Sequence, residues 1–327
     1  NGRAIALTWT GGHVTKMKSA VSGRSLNLTW STPSGALAAH VATVTTDLVD
    51  PKDSSSALTW NYGYTGDQLT TVCAPLSTTK CTTYGYTTGS QYQNASLDLD
   101  PGAAWPLTES SGTTAKDAVL ANEGTKNATY ENVTLGAAGP LTGSSSTAAS
   151  FNGTSSDVAL PKNTGNDTDS GALSLWFKTS AGPGVLYSYA SQPIGSGQAA
   201  GFYTPSIYVG TDGKLNAEFW YSGGVNPIVS SASVADGKWH HVVLSAAGNS
   251  QTLFLDNTKV GSRTGTVSIK SAVAFGKNQV FNYLGTGFLG GSWPDEPHSS
   301  SSDGTGYATY FNGSIADVAW YGRPLVA

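Results

Sequence analysis

The sequence predicts an all-β protein, a two-sheet antiparallel sandwich that fills most of the chain behind a smaller antiparallel β region. Three observations lead there. Residues 236–261 read as two strands: Trp239, His241 and Val243 fall on one face, His240, Val242 and Leu244 on the other, and Gly248 with Asn249 supplies a turn before 252–255. Residues 310–325 form another alternating run that stops at Pro324. Only 12% of residues are charged, against 40 Gly, 9 Trp, 15 Tyr and long Ser/Thr stretches, which is the composition of short strands joined by polar turns.

At 327 residues the chain is long enough for about two domains with substantial cores. A net charge of −4 without a basic run argues against nucleic acid as a partner, because neutralising phosphates needs clustered Lys and Arg. No stretch approaches the roughly 20 apolar residues of a membrane-spanning helix. Residues 1–20 lack the layout of a signal peptide, so the start is expected to be internal to a longer parent chain. Cys73 and Cys81 bracket a turn-like segment between two strand-like runs, an arrangement that allows a disulfide and hence an oxidising compartment; two buried free thiols are the alternative.

The first ninety residues contain a repeat. Leu-Thr-Trp recurs at 7–9, 28–30 and 58–60, each time followed closely by Gly, Pro or a Tyr-rich run. Units of this size stack because one alone cannot bury its apolar face. Residues 23–30 and 60–72 resemble the Rhs, or tyrosine-aspartate, repeats of large bacterial surface proteins and polymorphic toxins. The Tyr-Asp dipeptide itself is replaced by Tyr64-Thr-Gly-Asp67. The resemblance implies a β-repeat region over 1–96 in a secreted or surface-attached protein.

After Asp100-Pro-Gly the character changes. The segments 104–117, 149–160 and 173–178, followed by the two runs described above, resemble in their order the laminin G-like, concanavalin A-like jelly-roll family. That similarity covers 97–327 and implies a jelly-roll β-sandwich whose rim often holds calcium. By resemblance the calcium ligands are Asp117, Asn122 and Asp317, with backbone carbonyls or water completing the six to eight oxygens that calcium takes. The residue-level alternative is that Asp117 caps a turn and Asp317 faces solvent.

His240 and His241 cannot chelate one ion, because neighbours on a strand point to opposite faces. One is expected in the core with a backbone partner, the other on a wet face. The jelly-roll fold also hosts glycoside hydrolases, which need two carboxylates about 5 to 10 Å apart. Here the glutamates, Glu109, Glu123, Glu131, Glu218 and Glu296, are remote from one another in sequence, and no Gly-x-Ser-x-Gly elbow precedes a helix. No catalytic set is therefore predicted.

The loop 287–307 gathers Trp293, Asp295, Glu296, His298 and Tyr307. Sugars are held by an aromatic ring against their apolar face and a few polar groups on their hydroxyls, so these five are the candidate ligand-binding residues. The alternative has Trp293 tucked against a sheet, and Phe219-Trp-Tyr221 is expected in a buried strand. The resulting expectation is a non-catalytic extracellular module that recognises a glycan or a protein. A purely structural domain decorating a repeat shell, or a glycoside hydrolase, are the alternatives.

Overall fold

The computed structural model describes residues 4–77, 80–85, 91–142, 144–196, 201–275, 279–297 and 308–325. The chain divides into two compact units, Asn1–Thr88 and Gly89–Ala327.

The first unit is a seven-stranded antiparallel meander in which each strand pairs with the next: β1 (Ile5–Thr10), β2 (His13–Ser19), β3 (Ser25–Ser31), β4 (His40–Thr46), β5 (Thr59–Thr65), β6 (Gln68–Cys73) and β7 (Cys81–Thr83). The Leu-Thr-Trp runs fall in β1, in β3 and at the mouth of β5. Trp30 shows how one repeat grips its neighbour: its indole N–H donates to the Val14 carbonyl at 2.9 Å, and its ring stacks on His13 at 4.6 Å. Asp67, in the Tyr64-Thr-Gly-Asp stretch, accepts the N–H groups of Leu37 and Ala38 and lies 2.7 Å from the His40 ring, tying the β3–β4 connection to the β5–β6 turn. Cys73 and Cys81 are register partners on β6 and β7 and form a disulfide with a Cα separation of 4.1 Å. No apolar side chain among the described residues of this unit is fully buried, as a single-layered sheet requires.

The second unit opens with α1 (Gln91–Asp98), β8 (Ala103–Trp105), β9 (Thr114–Ala115), β10 (Ala128–Glu131), β11 (Thr134–Ala138), β12 (Thr147–Asn152) and β13 (Asp157–Leu160). It continues through β14 (Ser170–Lys178), β15 (Gly184–Ala190), β16 (Tyr203–Val209), β17 (Lys214–Ala217), β18 (Ile228–Ser233), β19 (Trp239–Ala247), β20 (Ser250–Leu255) and β21 (Thr258–Thr264). It closes with α2 (Ser271–Phe275), β22 (Phe281–Leu284), β23 (Thr286–Phe288), β24 (Ala308–Tyr310) and β25 (Asn312–Tyr321). The front sheet runs β18-β17-β16-β15-β22-β13-β10-β9, and the back sheet β11-β12-β25-β14-β19-β20-β21 with β8 added to β25. Alternation decides which side chains meet between them. Leu173, Leu175 and Phe177 of β14 with Val242 and Leu244 of β19 share one core with Val158, Tyr187, Ile207 and Leu215 of the front sheet. Gly285, at a φ of 79°, sits so close to Phe151 that any side chain there would overlap the ring.

The unit boundary precedes α1, whereas the sequence places it at 96/97. The helix belongs to the sandwich because three of its side chains bond to the back sheet. The Tyr92 hydroxyl lies 3.0 Å from His241 Nε2, Gln93 donates to Asp317 at 2.6 Å, and the Ser96 hydroxyl lies 2.7 Å from that of Tyr321.

The predicted hairpin is β19–β20, turning at Gly248 and Asn249. Its two histidines do point to opposite faces, but among the described residues neither ring has the backbone partner that the sequence leads one to expect for one of them. His240 sits between two carboxylates, Nδ1 at 2.7 Å from Asp256 and Nε2 at 3.1 Å from Asp236. The His241 Nε2 is shared by the hydroxyls of Ser174, at 2.8 Å, and Tyr92, and burial holds its pKa down to about 4.

Candidate ligand-binding site

The richest aromatic surface is built from the segment after β17. Phe219 and Tyr221 are buried, so Trp220 between them must face the other way, and it is 39% exposed. The segment is pinned at each residue. Gln251 brackets Phe219, accepting its N–H at 2.7 Å and donating to its carbonyl at 3.0 Å. The Trp220 N–H donates to the Tyr189 hydroxyl at 3.0 Å, and the Trp220 carbonyl accepts from Ser268 at 2.8 Å.

Trp220 thereby forms part of the wall of a cavity of about 330 Å³ shared with Tyr189, Phe202, Tyr203 and Trp293. Ser268, Ser271 and Ser292 stand in the same wall, the Ser271 hydroxyl donating to the Ser268 carbonyl at 2.7 Å, and no charged residue does among the described residues. The Tyr203 hydroxyl donates to the Gly290 carbonyl at 3.1 Å, which fixes the far side.

Of the five loop residues singled out by sequence, Trp293 lines this cavity, but it is buried at 4% exposure rather than presented on a loop tip. It packs edge-on to Tyr208 at 6.2 Å, within a small cluster that includes Val185 and Leu289. The loop is sewn to β16 and its turn: the Tyr208 hydroxyl donates to the Pro294 carbonyl at 2.8 Å, and the Thr211 N–H donates to the Asp295 carbonyl at 2.8 Å. Asp295 is exposed and Glu296 half-buried. His298 and Tyr307 lie outside the described residues.

The surroundings of the Trp293 wall are acidic. The Tyr208 phenol is raised by burial and then by the charges of Glu218, Asp295, Asp212 and Glu296. Glu218 is fully buried; its Oε2 accepts the Asn226 N–H at 2.9 Å, while Oε1 and the nearby Asn216 Oδ1 have no partner among the described residues. Burial pushes the Glu218 carboxyl up to about 7.

A second cavity, of about 470 Å³, lies where α1 meets the back sheet, with Tyr92, His241, Phe254 and Arg323 in its wall. The Arg323 guanidinium donates to the Leu99 carbonyl at 2.8 Å.

Of the three calcium ligands that the resemblance implies, Asp117 and Asn122 bond to each other and Asp317 bonds to Gln93 on α1. Asp117 Oδ1 accepts the N–H groups of Ala104, at 2.8 Å, and Val119, at 3.1 Å, and Oδ2 accepts from the Asn122 amide. Asp317 adopts a φ of 49° in a bulge of β25, which turns it toward Gln93 on α1, and burial raises it to about 6.

One carboxylate pair is not evident from sequence order: Glu131 and Asp157 stand directly opposite on β10 and β13. Burial, reinforced by the Glu131 charge, pushes Asp157 up to about 7. Neither side chain lines the aromatic cavity.

A two-sheet antiparallel sandwich is the architecture of the jelly rolls. Residues 152–327 match the laminin G type 3 model of the concanavalin A-like lectin/glucanase superfamily, and the chain belongs to that family. No curated protein matches the chain.

Among solved structures, domain 4 of AbnA, an extracellular GH43 arabinanase from Geobacillus stearothermophilus in complex with arabinotriose, is 18% identical at a TM-score of 0.34, covering 72% of this chain and 91% of that one. The CBM40 of Ruminococcus gnavus IT-sialidase, bound to α2,3-sialyllactose, is 16% identical at 0.34, covering 49% and 80%. Trypanosoma rangeli sialidase is 12% identical at 0.44, covering 99% of this chain and 52% of its own.

Proposed function

We propose that the second unit is a non-catalytic carbohydrate-recognition module and that the cavity walled by Trp220 and Trp293 is its binding site. The observation that carries this reading is the lining itself. The exposed Trp220 and the half-buried Phe202 and Tyr203 offer faces for the apolar side of a sugar ring, backed by the buried Tyr189 and Trp293, three serines stand beside them, and no carboxylate pair stands in the wall among the described residues. Membership of a family of lectins and glucanases supports it. The first unit is read as an Rhs-type repeat region, and the whole as part of a large secreted or surface-attached bacterial protein. A disulfide between β6 and β7 is consistent with an oxidising compartment.

A glycan array probed with the 327-residue chain and with Trp220→Ala tests the binding site. Specific binders lost in the variant support it; no binder, or equal binding by the variant, removes it.

The opposed Glu131 and Asp157 favour a second reading, glycoside hydrolysis, since a carboxyl raised beside another carboxylate suits a general acid. Incubating the bound glycans with the chain separates the two readings. Reducing ends released by the chain and not by Glu131→Gln would establish hydrolysis; unchanged glycans support recognition alone.

A further inference from the structure

Independently of the carbohydrate reading, we propose that the free edge of β1 docks one further antiparallel strand from outside these 327 residues, a strand that opens with a histidine and is recognised by Trp9. The first unit contains one hairpin three times, as β1–β2, β3–β4 and β5–β6. In each, the register slips by one residue just before an aromatic, Trp9, Trp30 or Tyr64, and that aromatic is paired with Val14, Val41 or Leu69 on the returning strand.

The joint between hairpins is one device used twice. Continuing the β2–β3 register by three positions sets Trp30 opposite His13, and continuing β4–β5 in the same way sets Tyr64 opposite His40. The rings stack at 4.6 and 4.8 Å, with planes 19° and 18° apart. Each aromatic also donates to the carbonyl of the residue after the histidine, Trp30 to Val14 at 2.9 Å and Tyr64 to Val41 at 3.0 Å. A ring stack and a hydrogen bond thus select a strand that opens with His-Val.

Trp9 is the corresponding residue of the first hairpin, and among the described residues no strand lies where it would grip one. It is 62% exposed, whereas Trp30 and Tyr64 are half-buried. All of β1 is exposed, and Ile5, Leu7 and Trp9 alternate onto one face of a strand that has neither a charge nor a proline. Open edges are usually blunted by charge, proline or shortness, because their unpaired N–H and C=O groups template further pairing. The opposite edge is blunted: β7 has three residues and is tied to β6 by the disulfide.

A second copy of the chain does not fit the edge. Both histidines of the unit are already stacked on Trp30 and Tyr64, and a β1–β1 pair between copies would set Trp9 against a strand without a histidine. The occupant is therefore a strand built like β2 or β4, added as peptides add to sheet edges, with main-chain bonds for affinity and the Trp9 joint for choice.

The test is hydrogen exchange, read segment by segment, on the 327-residue chain and on the same chain carrying a copy of the β2 sequence, His-Val-Thr-Lys-Met-Lys-Ser, ahead of residue 1. The added strand is expected to slow exchange over residues 5–10 by about tenfold, the size of one ring stack with one hydrogen bond, and to leave 81–83 unchanged. Trp9→Ala, or alanine in place of the added histidine, should return exchange to that of the 327-residue chain. Trp9→Phe, which keeps a ring to stack and loses the N–H, should fall between. Unchanged exchange over 25–31 and 40–46 shows that the variants keep the sheet.

Exchange over 5–10 that the added strand does not slow overturns the proposal. So does protection that survives both Trp9→Ala and loss of the added histidine, which is edge pairing without recognition. Protection of 5–10 that rises with the concentration of the 327-residue chain alone also overturns it, by assigning the edge to a second copy. None of these outcomes touches the glycan reading, which stands or falls on Trp220.

Discussion

The Tyr92 hydroxyl and His241 Nε2, 149 positions apart in the chain, meet at 3.0 Å with Ser174 on the same nitrogen. This contact, together with Gln93 to Asp317 and Ser96 to Tyr321, makes an eight-residue helix with no fully buried side chain part of the sandwich. An isolated helix that short is not stable in water, so its order comes from these bonds.

A fragment beginning at residue 97 is therefore expected to be less stable than one beginning at 89. The loss should be on the order of 2 to 4 kcal/mol, since three bonds to partly buried groups disappear together. Tyr92→Phe alone should cost about 1 kcal/mol. Urea denaturation of the two fragments decides it; equal midpoints would show the helix to be dispensable.

Stability should fall as pH rises from about 5.5 to about 8. Glu218 and Asp157, each pushed up to about 7, and Asp317, pushed up to about 6, are raised chiefly by burial and hold protons that the unfolded chain has already released. The folded state then binds more protons between about pH 4 and pH 7, and this contribution is lost as pH climbs through the folded values. His241 opposes them: held at about 4 against 6.5 unfolded, it weakens the fold as pH drops through that interval. Three carboxyls outweigh one imidazole. A melting temperature higher at about pH 8 than at about pH 5.5 would contradict the assignment. Glu218→Gln should flatten the profile and stabilise the alkaline side, by on the order of 1 to 3 kcal/mol.

Trp220 and Trp293 should separate binding from folding. Trp220→Ala, at a 39% exposed position, is expected to leave stability within about 1 kcal/mol while removing the ligand. Trp293→Ala should cost about 3 to 5 kcal/mol, because it opens a cavity against Tyr208, Val185 and Leu289. Thermal melts of both variants beside the glycan array show whether the two effects divide in this way.

Replacing Cys73 and Cys81 with Ser should destabilise the first unit by about 2 to 3 kcal/mol, the chain-entropy value for a short closed loop, and leave the second unit unchanged. Limited proteolysis reads this directly: cleavage should accelerate within 4–85 and not within 91–325.

EDTA is expected to leave the melting temperature unchanged, since three N–H donors already hold the Asp117 carboxylate in place. Asp117→Ala should nevertheless cost about 1 to 3 kcal/mol by stranding the Ala104 and Val119 N–H groups. A drop in EDTA restored by calcium would support the bound ion that the resemblance implies.

Alternation and turn chemistry are local properties, which is why the β-sandwich and the 239–255 hairpin were legible in the chain, whereas Phe219-Trp-Tyr221 was expected in a buried strand and Trp220 is 39% exposed. Two aromatic neighbours that must be buried leave the residue between them pointing outward, and applying that rule to Phe219-Trp-Tyr221 identifies Trp220. Trp293 could not be placed in the same way. Its burial depends on Tyr208, 85 positions earlier, reaching Pro294 and drawing the loop onto β16.

The sequence by itself determined that the chain is all-β, that its first part repeats and its second is a two-sheet sandwich, because period-2 patterning and turn residues act over a few positions. Tertiary structure alone decided that α1 belongs to the sandwich, that Glu131 faces Asp157, and that five aromatics from distant segments share one cavity. Each depends on tertiary packing, by strand register within a sheet or by a helix set against it, where residues far apart in the chain become neighbours and linear spacing carries no information.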